Sequence, residues 1–342
     1  MAVVVMWGSR SSAYVGLDLA GGTVGEPRRP DALADAAQLY YVDGRTQQQV
    51  ARALGTTRSN VSRMLRAARD QGIVRFEIIR PVHRQRELEE RLLAAFPLRE
   101  AVVMASDGDD TDLQRVGQLA ASWLTDNVEE GTRLAVSWGR TLQSVARALP
   151  VERSFDVEVV QSGGDLQLDP RYSGHELVRE IAARLGGSYS YLHAPAILDS
   201  PATVAGLRSL PAIRHELEKA LGADIALVGI GAFGFGFSTQ LLESAHLSVE
   251  DRAAFGSVGA AGDILGRFFG ASGSVLETPL RHRVLALELE ELREVPTIVG
   301  VAAGVQKAPG IRGALRGRWV DVLVTDRAAA TGVLQLEEGS RR

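Results

Sequence analysis

Cysteine is absent from all 342 residues of the chain. That removes disulfides, thiolate zinc sites and cysteine nucleophiles together, and it leaves the compartment without redox evidence. Lysine is almost absent as well. Lys219 and Lys307 are the two examples, and arginine carries the rest of the positive charge, so a lysine in a special place is conspicuous. The six histidines (83, 175, 193, 215, 246 and 282) never fall at metal-ligand spacing, and no metal site is expected. Long apolar runs are missing too. Ala2 to Trp7 is apolar but short, follows no basic start and runs into Gly8-Ser9-Arg10. It reads as neither a signal peptide nor a membrane span. Residues 1–30 are expected to be a disordered extension or the product of a misplaced start codon. Nothing argues for secretion, and the expectation is a cytoplasmic protein.

What is present describes a globular chain, with 45% hydrophobic and 23% charged residues. Its length is too great for one small core and suggests two or three domains. The stretch Gln47 to Gln71, QQQVARALGTTRSNVSRMLRAARDQ, organises the first of them. Val50, Ala51 and Leu54 lie on one side of a short helix. Gly55 supplies a sharp turn, and Thr57 can cap the next helix by accepting a backbone N–H. That helix buries Val61, Leu65 and Ala68, leaving Arg58, Ser59, Asn60, Ser62 and Arg63 on its outer, N-terminal part. A short helix, a glycine turn and an arginine-rich second helix make a helix-turn-helix, whose second helix lies in the DNA major groove. Gln47, Thr57, Arg58, Ser59, Asn60, Ser62 and Arg63 form the candidate DNA-binding set.

An ordinary helical hairpin with a solvated face would not segregate charge. From Arg45 to Arg84, nine arginines oppose Asp70 and Glu77, a local net charge of +7. The whole chain is −4, so the remainder carries −11. A phosphate-binding module on an acidic body requires that segregation. Asp31 to Val42 reads as the helix before it, with Ala36, Leu39 and Tyr40 inward and Gly44 ending it. Gly72 stops the second helix, and Ile73 to Ile79 alternates as a wing strand. The DNA-binding domain thus spans 31–81, and His83 to Phe96 forms a linker helix (82–96) with Leu88, Leu92 and Leu93 as its stripe.

From Arg99 the pattern alternates strands with helices, the mark of a parallel α/β sheet. In such sheets ligands sit at the carboxyl ends of strands. Five loops there matter. Trp138-Gly139-Arg140-Thr141 offers a glycine and a helix N-terminus suited to an anion. Gln161-Ser162-Gly163-Gly164-Asp165 adds polar groups. Val228 to Gly234 contains GxGxxG after a strand, but no helix follows at once, so a dinucleotide site is rejected and no cofactor is expected. Gly259 to Ile264 places Asp263 among small residues, and Gly300 to Lys307 delivers the rare lysine. Together they predict a polar ligand pocket.

Specific strings along Asp31 to about Leu336 resemble the SorC-type, DeoR-related sugar-sensing transcriptional regulators. They are QQQVARALGTTRSNVSRMLRAARDQGIV, SWGRTL, SGHELVREIAARLGG, ADIALVGIG, GAAGDILGRFF and VAAGVQKAPGIRGALRG. The resemblance implies a winged helix-turn-helix domain followed by a Rossmann-like, parallel-sheet effector domain (97–336) built like the sugar-phosphate isomerases and deaminases. It implies dimers or tetramers that bind operator DNA as repressors and respond to a phosphorylated sugar. By motif match Gly139, Arg140 and Thr141 would cradle phosphate, Gln161 and Ser162 would line the pocket, and Asp263 and Lys307 would hold sugar hydroxyls or phosphate. Pro309 and the aromatic Phe233 to Phe237 loop depart from the family pattern. The alternative is a sugar-phosphate isomerase or deaminase with an accessory nucleic-acid-binding module. Such chemistry needs a positioned general base, and no second acid or histidine recurs beside Asp263, so a non-enzymatic sensor is expected.

Overall fold

Two threonines start two of the helices in the N-terminal unit. In the computed structural model, which describes residues 30–74, 83–105, 111–151, 155–166 and 173–340, Thr46 Oγ1 accepts from the Gln49 N–H and Thr57 Oγ1 from the Asn60 N–H. Gln49 returns a bond to the Thr46 N–H, completing a capping box. The helices are α1 (Pro30–Ala37), α2 (Gln47–Ala53) and α3 (Arg58–Asp70). Gly55, at φ +60°, makes the turn between α2 and α3, a conformation that costs glycine little.

The single helix expected to reach Val42 instead widens into a π-helical turn over Gln38–Val42, closed by Asp43 N–H donating to Gln38 C=O at 3.0 Å. The widening rotates the inward set. Leu33, Ala36 and Ala37 are buried, whereas Leu39 and Tyr40 only flank the core formed with Val50, Val61, Met64, Leu65 and Ala68. Thr46→Ala removes the cap of α2 and should lower the stability of this unit by about 1 kcal/mol. Thermal circular dichroism reads it, and an unchanged midpoint would show that the cap contributes nothing. Most of the expected wing, Ile73 to Ile79, lies outside the described residues. Ile73 and Val74 themselves are not in a strand.

The chain divides into two compact units, residues 1–81 and 82–342. In chain order the second contains α4 (Arg86–Ala95), β1 (Glu100–Met104), α5 (Thr111–Asn127), β2 (Arg133–Val136), α6 (Arg140–Ala148), β3 (Glu158–Gln161), α7 (Gly174–Leu185) and β4 (Ser188–Ser190). There follow α8 (Pro201–Ser209), α9 (Pro211–Leu221), β5 (Ile225–Gly229), α10 (Phe237–Ser244), α11 (Val249–Ser257), β6 (Ala260–Ile264) and β7 (Arg267–Gly270). The last are α12 (Leu289–Leu292), β8 (Thr297–Val301), α13 (Ala308–Arg316), β9 (Val322–Asp326) and α14 (Arg327–Gly339).

Among the described residues, seven strands form one parallel sheet in the order β1-β9-β8-β5-β2-β3-β4. Strands covered on both faces read as unbroken apolar runs. Leu134–Val136, Ile225–Val228 and Val322–Val324 are such runs, and they share their side chains between two core clusters. The helix after His83 packs on β1 and α14. Leu88, Glu89 and Leu92 are its buried residues, while Leu93 faces outward at 40% exposure.

Residues 83–85 add to the outer edge of β1 through Gln85 N–H to Val103 C=O and Ala105 N–H to His83 C=O, both 2.8 Å. That covers an otherwise open edge. Arg84, counted with the basic stretch, bonds Glu89 at 2.8 Å, the Ala101 carbonyl at 3.1 Å and Glu100 at 3.3 Å. Its charge is neutralised within the second unit. Gly259 to Ile264, read as a rim loop, is largely strand β6 of an antiparallel hairpin with β7. Leu265 and Gly266 both take positive φ at its turn, the conformation that a tight two-residue hairpin demands.

Candidate functional site

The chain runs outward from β2 to β3 and β4, then returns to the other side of β2 with β5. Strand order reverses there, and open α/β sheets bind ligands in the crevice at such a point. A cavity of about 620 Å³ lies there. Ser137 to Thr141 follow β2, Gly229 to Gly231 end β5, Ala303 to Lys307 follow β8, and Asp326 ends β9. The β6–β7 hairpin contributes Asp263 and Leu265, the β5–α10 loop contributes Phe235, and the start of α10 contributes Phe237 and Ser238.

Of the seven residues expected to hold the effector, Gly139, Arg140, Thr141, Asp263 and Lys307 line this cavity. Gln161 and Ser162 do not. They end the neighbouring strand β3, are 1% and 0% exposed, and keep side-chain polar atoms without hydrogen-bond partners among the described residues. Gly139 sits at φ +124°, which an L side chain rarely adopts, and α6 begins immediately after it without a side-chain cap. The first amides of α6 are therefore available to an anion, with exposed Arg140 beside them. Gly304, at φ +100°, precedes a short 3-10 turn, Val305–Lys307, that leads into α13. Pro309 falls in the first turn of α13, where its missing N–H costs nothing. The departure from the family pattern is harmless.

The GxGxxG string has a packing role. A Cβ on Gly231 would collide with the Asp263 carboxylate and Ser238 Oγ, and one on Gly310 with the Gly231 carbonyl. Three chain segments therefore meet backbone to backbone under the cavity. Gly231 N–H donates to the Asp263 carbonyl at 2.8 Å. Asp263 is 7% exposed and accepts from Ser238 Oγ at 2.5 Å and from the Gly266 N–H at 3.3 Å.

Burial pushes the Asp263 carboxyl up from the ordinary aspartate range, against the lowering effects of Ser238, Lys307 and Gly266. Burial also draws the Lys307 ammonium down, with Arg140 adding to that and Asp263 opposing it. Lys307 makes no ion pair or side-chain hydrogen bond among the described residues. A fixed Asp263–Lys307 salt bridge, the structural explanation for the pair, is not formed.

Sequence reasoning missed Ser137, Phe235, Ser238 and Asp326. The last left a signal, since Asp before Arg-Ala-Ala-Ala is a helix start. Asp326 Oδ1 accepts from the Ala329 N–H at 2.7 Å to cap α14, and Oδ2 from the Gly304 N–H. One oxygen thus starts α14 and the other holds the loop that carries Lys307.

In the first unit, Gln47, Arg58, Ser59, Ser62, Arg63 and Arg66 form one open, exposed groove. Arg66 extends the expected set. Thr57 caps α3, and Asn60 turns its amide back to Thr56 Oγ1 at 2.8 Å. Both are therefore engaged within the fold.

A family model described as "Putative sugar-binding domain" matches residues 80–335. The chain is 34% identical over 305 residues to the sorbitol operon regulator of Klebsiella pneumoniae, covering 87% of this chain and 96% of that one. It is a SorC-family transcriptional regulator. The crystal structure of full-length SorC from Klebsiella pneumoniae matches with a TM-score of 0.68 at 32% identity, covering 89% of this chain and 99% of that chain. The deoxyribonucleoside regulator of Bacillus subtilis (strain 168) is 30% identical over 307 residues, covering 88% and 96%. These SorC-family relatives are named as regulators. Among the described residues no helix is long and apolar enough to cross a membrane, and no acidic or histidine group is built to hold a metal.

Proposed function

We propose that the chain is a repressor that reads a two-fold operator as a homodimer or homotetramer and is controlled by a phosphorylated sugar in the second unit's cavity. One observation supports this most. The glycine-started entry of α6, Arg140 and Lys307 converge on one cavity at the point where strand order reverses. Cations and free amides suit phosphate, while Asp263 suits sugar hydroxyls. In the first unit, α2 and α3 serve as the helix-turn-helix, and Arg58, Ser59, Ser62 and Arg63 face the major groove. Two copies on a two-fold site place half-sites about one helical turn, or a multiple of it, apart. The enzyme alternative lacks support, because Asp326, the second carboxylate at the cavity, is committed to two backbone N–H groups.

The test is selection of the operator from a random duplex library, followed by fluorescence anisotropy with a panel of sugar phosphates. Arg58→Ala should weaken the selected site by about 1–3 kcal/mol and relax preference at one base position. Asn60→Ala carries a stability component as well, through the lost bond to Thr56. Unaltered base preference in Arg58→Ala would remove this residue from the reading face.

A further inference from the structure

Two of the large apolar side chains left exposed, Phe235 at 42% and Val305 at 52%, line the cavity. Their loops follow β5 and β8, which are neighbours in the sheet. A single exposed apolar residue needs no explanation, but two that converge on one cavity form a contact surface for its ligand. We propose that Phe235, with Val305, sets the stereochemical selectivity of the cavity. The two pack on a hydroxyl-free carbon face of the phosphorylated sugar and reject an epimer that turns a hydroxyl toward them. The inference rests on the assignment of the cavity to a sugar phosphate.

The aromatic loop divides its three rings. Phe235 N–H donates to the Ala232 carbonyl at 3.1 Å, closing a turn over Phe233 and Gly234, with Gly234 at φ +74°. Phe233 packs with Phe255 and Phe268, its ring centroid 6.2 Å from each. Phe237 opens α10 and packs against the main core cluster. Phe235 lies between these two anchored rings and belongs to no core cluster. Gly236 follows at φ +62°, and a Cβ there would lie 3.3 Å from Arg140 Nη2. The backbone beside the exposed ring therefore abuts the cation assigned to phosphate.

Polar and apolar walls then divide the sugar between them. Arg140, Lys307 and Asp263 offer partners to phosphate and hydroxyls. Phe235 and Val305 offer none, because neither side chain carries a donor or an acceptor. Packing on C–H groups is non-directional and by itself favours many sugars alike. Selectivity comes from the opposite case. A hydroxyl turned toward the ring gives up its water and gains no hydrogen bond in return. An apolar wall rejects an added hydroxyl by up to about 100-fold. Epimers differ only in which face of one carbon carries the hydroxyl, so the wall converts stereochemistry into affinity.

The experiment measures dissociation constants by calorimetry on the full-length protein. The probes are inorganic phosphate and pairs of aldohexose 6-phosphates and aldopentose 5-phosphates that are epimers at one carbon. The wild type should separate the members of at least one pair by about 10-fold to 100-fold. Phe235→Ala should bring that pair within about threefold of each other. It should bind inorganic phosphate as the wild type does, which also shows that the variant is folded. Phe235→Leu stays apolar and should keep the preference. Val305→Thr supplies a hydroxyl partner at nearly constant volume and should weaken it. If Phe235→Ala weakens both members of the pair by one factor, or alters the oligomeric state in light scattering with the preference intact, the inference is overturned and the sugar-phosphate assignment stands. The same holds if the wild type binds sugar phosphates but separates no pair. If no sugar phosphate binds, the assignment of the cavity itself fails and the inference falls with it.

Discussion

Lys307→Met will bind operator as the wild type does but need roughly 30-fold to 4,000-fold more sugar phosphate to respond. Removing one partner of a desolvated charged contact costs about 2–5 kcal/mol, and each 1.4 kcal/mol is about tenfold in affinity. Methionine preserves the length and the apolar stem. The lost quantity is the charged nitrogen. The ammonium holds no other side chain among the described residues, so the fold should not depend on it. A ligand shifts a DNA-binding equilibrium only through its different affinity for the two states, and weaker effector binding therefore appears directly as a weaker response. Anisotropy of a labelled operator fragment, titrated with effector, gives both values at once. A wild-type effector requirement would make Lys307 structural and remove the anchor of the pocket assignment.

Gly231→Ala should abolish the response and destabilise the second unit. The new Cβ has no room between the Asp263 carboxylate and Ser238 Oγ. Both are buried and bonded to each other, so one must leave its place. Overpacking of this kind costs about 1–3 kcal/mol. The hairpin end that carries Asp263 moves with it, and the cavity loses a wall. Gly234→Ala is the control. That glycine has positive φ but open space around its missing Cβ, so the cost is backbone strain of about 1–2 kcal/mol with the cavity intact. Thermal shift with and without sugar phosphate separates the two, because a ligand that binds only the native state raises the melting temperature. If Gly231→Ala still shows the wild-type ligand shift, Asp263 is not positioned by this glycine contact.

The sequence alone determined those elements whose causes lie within a few residues. Gly55 and Thr57 carry their instructions locally as a turn and a cap, so the α2–α3 pair was legible with its boundaries nearly right, and the Thr46 cap emerged only from the structure. The apolar runs of β2, β5 and β9 announced a sheet buried on both faces. The glycine at position 139 marked a helix entry without a side-chain cap. Only the tertiary structure decided the rest. The β6–β7 hairpin was hidden because a leucine, rather than the usual asparagine or aspartate, precedes Gly266 at its turn. Gln161 and Ser162 share the strand-end position of the other loops, yet β3 lies outside the β2–β5 reversal and they fall away from the cavity. GxGxxG matched a phosphate-binding string while its second glycine serves to let three backbones meet. Asp263 and Lys307 are 44 positions apart in the chain, and their sharing of one cavity follows from strand order. Local free energies select helices, caps and turns, whereas a binding site is a product of long-range packing that no short window of sequence contains.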